Sequence, residues 1–91
     1  MRLDKFLKVS RLIKRRPVAK QAADAGRIKV NGRVADAAKQ VAVGDELEIR
    51  LGPRTIFVRI ESLAETVRKG EAGSLYTIMR TEDGRDDLLS F

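Results

Sequence analysis

The side chains of this sequence best suited to chemistry are cations. Lys14, Arg15 and Arg16 form a run immediately before Pro17, inside the stretch RLIKRRPVAKQAADAGRIKVNG that spans residues 11–32. Arg2, Lys5, Lys8 and Arg11 precede the run and Lys20 follows it. A guanidinium offers a planar fork of donors that fits phosphate oxygens in pairs, and an ammonium acts as a compact point charge. Such a set can recognise a polyanion; it does not make or break bonds. The chain has no histidine and no cysteine, so it lacks the usual general base, a thiolate nucleophile and the commonest metal ligands. A non-catalytic, metal-free and cofactor-free protein is the expectation.

The positions of the charges say more than their total. The net charge is +6 over 91 residues. Residues 1–40 carry twelve Lys or Arg against Asp4, Asp24 and Asp36, a balance of +9, whereas residues 41–91 carry seven basic and ten acidic residues, a balance of −3. A basic half joined to a mildly acidic half is the electrostatic footprint of nucleic-acid binding. A solvated surface that only aids solubility would not need its cations clustered. Aromatic residues make up 4% of the chain, too few for base stacking to dominate. Contacts to the backbone and shape of folded RNA fit better.

The elements that would hold these cations follow from periodicity. Leu3, Phe6, Leu7 and Ser10 fall at i, i+3, i+4 and i+7, which predicts a first helix over residues 2–9 with Lys5 and Lys8 turned away from the core. Asp4 lies in its first turn, where the helix dipole favours an anion, and reads as a structural residue. Leu12 and Ile13 anchor the link to a second helix. That helix starts at Pro17, which favours a first turn, carries Val18, Ala19, Ala22, Ala23 and Ala25, and stops at Gly26. Residues 27–30 alternate into a strand, and Asn31-Gly32 is a strong hairpin signal. After a polar connection over residues 35–40, Gly44-Asp45 turns the chain into a clean alternation at residues 46–51. Gly52-Pro53-Arg54 breaks it, and Ile56, Val58 and Ile60 mark one face of the next strand, with Phe57 on the other near an edge or a packing helix.

Residues 61–74 are ambiguous between a short helix through Leu63, Ala64 and Val67 and a loop at Gly70 and Gly73. Leu75 to Arg80 reads as a last strand with Tyr76, Ile78 and Arg80 sharing a face. Residues 82–91 form an acidic tail expected to be poorly ordered in isolation. The predicted architecture is α+β, two N-terminal helices packed on a small antiparallel sheet with a C-terminal strand extension, in one domain over residues 1–81. No apolar run approaches the roughly 20 residues of a membrane span, and no signal-peptide pattern opens the sequence, so a cytoplasmic protein is expected.

Several of these residues together resemble the S-four RNA-binding domain. They are Arg2-Leu3-Asp4, Arg15-Arg16 followed by Ala19, Gly26-Arg27-Ile28 with Val30-Asn31-Gly32, and Val43-Gly44-Asp45, covering about residues 1–50. The opening RLDKFLKVSRLIKRR and the Tyr76-Thr77-Ile78 strand resemble more narrowly the RqcP family of bacterial ribosome-associated quality control. Two positions depart from the domain pattern: Arg15-Arg16 stands where Ser-Arg is usual, which removes a side-chain helix cap, and Ala22-Ala23 replaces a bulkier pair, which thins the core. The resemblance implies an αL-type fold and an RNA-binding cofactor of the large ribosomal subunit carrying obstructed peptidyl-tRNA. Its partners would be 23S rRNA, P-site peptidyl-tRNA and RqcH, with the protein acting as a monomer and supporting alanine tailing of stalled chains. Arg16 matches the family arginine at the helix mouth and ranks first as an RNA contact, then Arg2, Arg11 and Arg15, then Lys5, Lys8, Lys14 and Lys20.

Three rival readings remain and a fourth, a pseudouridine synthase, falls away; one of the three is a protein-interaction module that uses the acidic C-terminal half and could coexist with RNA binding. A heat-shock ribosome-recycling protein of the same domain type would bind dissociated large subunits, but typically carries a longer basic C-terminal extension. A generic rRNA- or tRNA-binding module would need no quality-control partner. A pseudouridine synthase would need a larger catalytic domain than about 90 residues provide.

Overall fold

Leu3, Phe6, Leu7 and Ser10 are all buried to 1% exposure or less in the computed structural model, which describes residues 1–64 and 70–83. They line the inner side of α1, Leu3–Val9. The second helix, α2, runs Arg16–Asp24 and buries Ala19, Ala22 and Ala23 against the first. Val18 and Ala25, which share its small apolar composition, lie on the exposed side, Val18 at 47%. At seven and nine residues these helices are too short to persist alone, so packing holds them. The alanines of α2 allow a close approach, and the volume of the core comes from Phe6, from the leucines of α1 and from the sheet.

The sheet has five antiparallel strands in the order β2-β1-β3-β4-β5. They are β1, Ile28–Val30; β2, Arg33–Val34; β3, Glu46–Leu51; β4, Arg54–Ile60; and β5, Tyr76–Asp83. Asn31 and Gly32 both take positive φ, 51° and 85°, the geometry a two-residue hairpin of right-handed twist requires. The Asn31 side chain also braces the far end of the sheet. Its amide donates to Asp45 Oδ1 at 3.2 Å, and its oxygen accepts from the Glu46 N–H at 2.9 Å. Val30, Leu47 and Val58 align across three strands, as do Ile28, Ile49 and Ile56, and this face carries the core.

Among the described residues no helix covers the opposite face. Lys29, Glu48, Phe57 and Arg80 form one cross-strand row there, with Lys29 Nζ 3.7 Å from Glu48 and the Arg80 guanidinium 4.1 Å from the Phe57 ring centre. Phe57 therefore packs under a cation rather than against a helix. A bulge between Phe57 and Val58 pairs Ile78 with Val58 but Arg80 with Phe57, so Arg80 and Ile78 lie on opposite faces, contrary to simple alternation. The last strand starts at Tyr76 because residues 72–75 form a 3₁₀ turn that buries Leu75. It continues to Asp83, so Glu82 and Asp83 belong to the sheet; the rest of the expected tail, and Val67 of the ambiguous segment, lie outside the described residues.

Gly26 closes α2 with two bonds: its N–H donates to the Ala23 carbonyl and the Arg27 N–H to the Ala22 carbonyl, both at 3.0 Å. This is the left-handed cap that glycine favours, and Gly26 has φ 79°. A Cβ there would meet Val34 Cγ1 at an ordinary 3.8 Å, so the penalty of a side chain is conformational, not steric. Gly26→Ala should cost about 1–2 kcal/mol. Thermal denaturation followed by circular dichroism should show a midpoint lowered by at least about 4 °C.

Candidate nucleic-acid interface

The N-terminus of α1 lacks a side-chain cap from Arg2, and the chain supplies one from a distance. The Leu3 N–H donates to the Lys39 carbonyl at 2.8 Å and the Asp4 N–H to the Ala37 carbonyl at 3.2 Å. Asp24 at the end of α2 accepts the Ala37 N–H at 3.2 Å. Residues 37–39 are thus gripped by both helices.

Asp4 lies on the flank of α1 that faces α2 and is 3% exposed. Its carboxylate accepts Arg2 Nε at 3.2 Å on Oδ1, Arg16 Nε at 3.2 Å on Oδ2, and the Lys5 N–H at 2.9 Å on Oδ1. Burial pushes the carboxyl upward, but the Arg16 guanidinium, the Arg2 charge and the Lys5 N–H together outweigh it and hold Asp4 below the usual carboxylate range. The side chains of Arg2 and Arg16 remain 43% and 46% exposed, so each keeps donors for a second anion while its Nε is anchored.

Asp4 is therefore structural, as its place in the first turn suggests. Arg16, the leading RNA-contact residue by sequence, is also the bolt that joins the two helices. Only the pairing was hidden in the sequence, since residues 4 and 16 come together through the packing of α1 on α2. A usable signal existed: Asp4 is the only acid before residue 24 in an otherwise basic segment.

The other predicted cations fall into two groups. Lys20 bonds Asp24 one turn later at 3.4 Å, and Lys5 is half-buried in α1. Lys8, Arg11, Lys14 and Arg15 are exposed along the end of α1, the link and the start of α2, and among the described residues none makes an ion pair or side-chain hydrogen bond. Three cations of the sheet differ: Lys29, Arg59 and Arg80 each face a glutamate, with Arg59 Nε 2.8 Å from Glu61 and Arg80 3.3 Å from Glu82. Arg33, Arg50 and Arg54 of the sheet are exposed without an ion pair among the described residues, but they are spread over three strands, whereas the four cations of the helical link follow one another with no acid between, which suits phosphate contacts.

Among the described residues no three His, Cys, Asp or Glu side chains are placed to hold a metal ion. No described helix is long and apolar enough to cross a membrane.

The model of the S4 domain matches residues 1–47. The RQC P-site tRNA stabilizing factor of Bacillus subtilis is 54% identical over 82 residues, covering 90% of this chain and 95% of that protein. The protein of the same name from Streptococcus pneumoniae is 48% identical over 79 residues, 87% of this chain and 90% of its own. Among solved structures, trimeric Heat Shock Protein 15 of Vibrio cholerae superposes with a TM-score of 0.81 at 31% identity, covering 87% of this chain and 81% of that one.

The clamp generates a pH signature. An aspartate whose folded-state pKa lies below its unfolded value of 3.8 stabilises the fold fully above that value, and the stabilisation is lost as pH falls through the folded pKa. Asp4→Asn should lose about 1–2 kcal/mol at neutral pH, a figure kept low because both guanidiniums are half-exposed. The gap between wild type and Asp4→Asn in urea midpoints should narrow below about pH 4. A gap that stayed constant down to pH 2 would contradict the clamp.

Proposed function

Since the chain belongs to the S4 domain family and, within it, to the RQC P-site tRNA stabilizing factors, we propose that it works as an RNA-binding cofactor of ribosome-associated quality control. It binds the large ribosomal subunit that still carries obstructed peptidyl-tRNA. There it holds the P-site tRNA between 23S rRNA and RqcH, so that alanine can be added to the stalled chain. Its role is binding and positioning, without catalysis, and its place in the cell is on the ribosome. It acts there as a monomer.

The observation that carries this reading is the acid-free stretch between Asp4 and Asp24, mounted on a clamped helix pair. A P-site tRNA presents phosphates and 2′-hydroxyls on a fixed curved surface, and a rigid cationic link recognises such a surface without reading sequence. Prepaid rigidity matters because each flexible lysine or arginine loses rotamer freedom on binding. Identity to the tRNA-stabilizing relatives also extends beyond the S4 match, over 82 residues against 47, so the sheet extension is shared as well.

The structural likeness to Heat Shock Protein 15 favours a second reading, in which the protein handles dissociated large subunits in recycling. The lower identity of 31% and the −3 balance of residues 41–91 make it the weaker one.

Affinity purification from cells with stalled translation tests the proposal. Wild type should bring down free large subunits with peptidyl-tRNA; intact ribosomes or small subunits would overturn the assignment. Lys14→Ala with Arg15→Ala leaves the Asp4 clamp untouched and should weaken binding about tenfold or more. The same pair should reduce the slope of log affinity against log salt by about two. An unchanged slope would remove the link from the contact surface.

A further inference from the structure

Each helix is followed, two positions past its last residue, by a residue in the left-handed region, and the residue type differs. After α2 the left-handed position is Gly26, φ 79°; after α1 it is Arg11, φ 61°. Apart from Asn31, Arg11 is the only non-glycine among the described residues with positive φ. Asn31 accounts for itself, because asparagine tolerates that region and its side chain is bonded to Asp45 and Glu46. Arg11 has no such compensation. Its side chain is exposed and makes no ion pair or hydrogen bond with the described residues.

The turn itself is firmly built. The Arg11 N–H donates to the Lys8 carbonyl and the Ile13 N–H to the Leu7 carbonyl, both at 3.0 Å, and buried Ser10 donates its hydroxyl to the Leu7 carbonyl at 3.2 Å. Arg11 is held between two buried residues, Ser10 and Ile13, so its backbone cannot relax out of the strained region without disrupting the core. Glycine would fill the position more favourably, as it does at the end of α2.

On the reading that this surface binds ribosomal RNA and tRNA, we infer that Arg11 is a positioning phosphate contact kept at the expense of fold stability. Backbone strain of this sort collects at functional sites, where the surrounding structure enforces it. The rigid turn fixes the root of the guanidinium between Lys8 on one side and Lys14 and Arg15 on the other. One arginine with a fixed root can then set the register of the neighbouring cations along the RNA backbone.

Three variants separate this from a merely tolerated residue. Arg11→Gly should melt several degrees higher than wild type, since it relieves the strain. Its affinity for purified large subunits carrying peptidyl-tRNA should nevertheless fall roughly three- to tenfold, with the salt slope reduced by about one. Arg11→Asn, which also tolerates the left-handed turn, should lose binding in the same way, and Arg11→Lys should keep the slope. An Arg11→Gly protein that binds as tightly as wild type, or that melts no higher, overturns the inference. If wild type ignores large subunits but binds isolated tRNA with an affinity that depends on Arg11, the quality-control reading fails and the role of Arg11 stands. No RNA binding by wild type at all overturns both.

Discussion

The helix pair depends on one buried carboxylate. Asp4 and Ser10 are the only polar residues buried among those described, and Asp4 is the one that carries charge. Taking a carboxylate out of water is unfavourable unless its lone pairs are matched, and here two guanidiniums and a backbone N–H match them. The consequence reaches past stability. By holding Nε of Arg2 and of Arg16, Asp4 draws two cations that are fourteen positions apart in sequence to one carboxylate, where they would otherwise repel. A fold with a thin alanine interface between its helices gains orientation from this ion triad that packing alone would specify loosely.

Much of the architecture was legible because it rests on short-range physics. The period of Leu3, Phe6 and Leu7, the alternation at residues 46–51 and the Asn31-Gly32 turn each dictate local structure whatever surrounds them. What escaped sequence reading was set by neighbours distant along the chain. The bulge at Met79 reverses the facing of Arg80, and no property of β5 alone announces it. Phe57 finds a cation above it instead of a helix for the same reason.

The binding surface was legible as a region and less so as a ranking. Lys8, Arg11, Lys14 and Arg15 stand exposed where a charge count places them. Composition could not show that Arg2 and Arg16 share an internal partner, or that Lys20 leans on Asp24. These residues have two duties, and a change at Arg16 disturbs the helix interface together with any RNA contact. On the sheet, Lys29, Arg59 and Arg80 are matched by glutamates in neighbouring positions, whereas along the helical link four exposed cations follow one another with no acid among them.

Ala37 gives the fold an assembly order. Its carbonyl receives the Asp4 N–H at the start of α1 and its N–H reaches Asp24 at the end of α2, from a segment that follows the β1–β2 hairpin. The helices precede that hairpin in the chain, yet the first turn of α1 is not capped, and Asp24 has no Ala37 N–H to accept, until it has formed and returned. Closing such non-local loops is slow compared with forming a helical turn. On a chain growing from its N-terminus, the start of α1 and the end of α2 therefore stay untied to each other through this segment until residue 37 and its neighbours are free to fold back, and an unfinished copy presents a less firmly held surface to RNA.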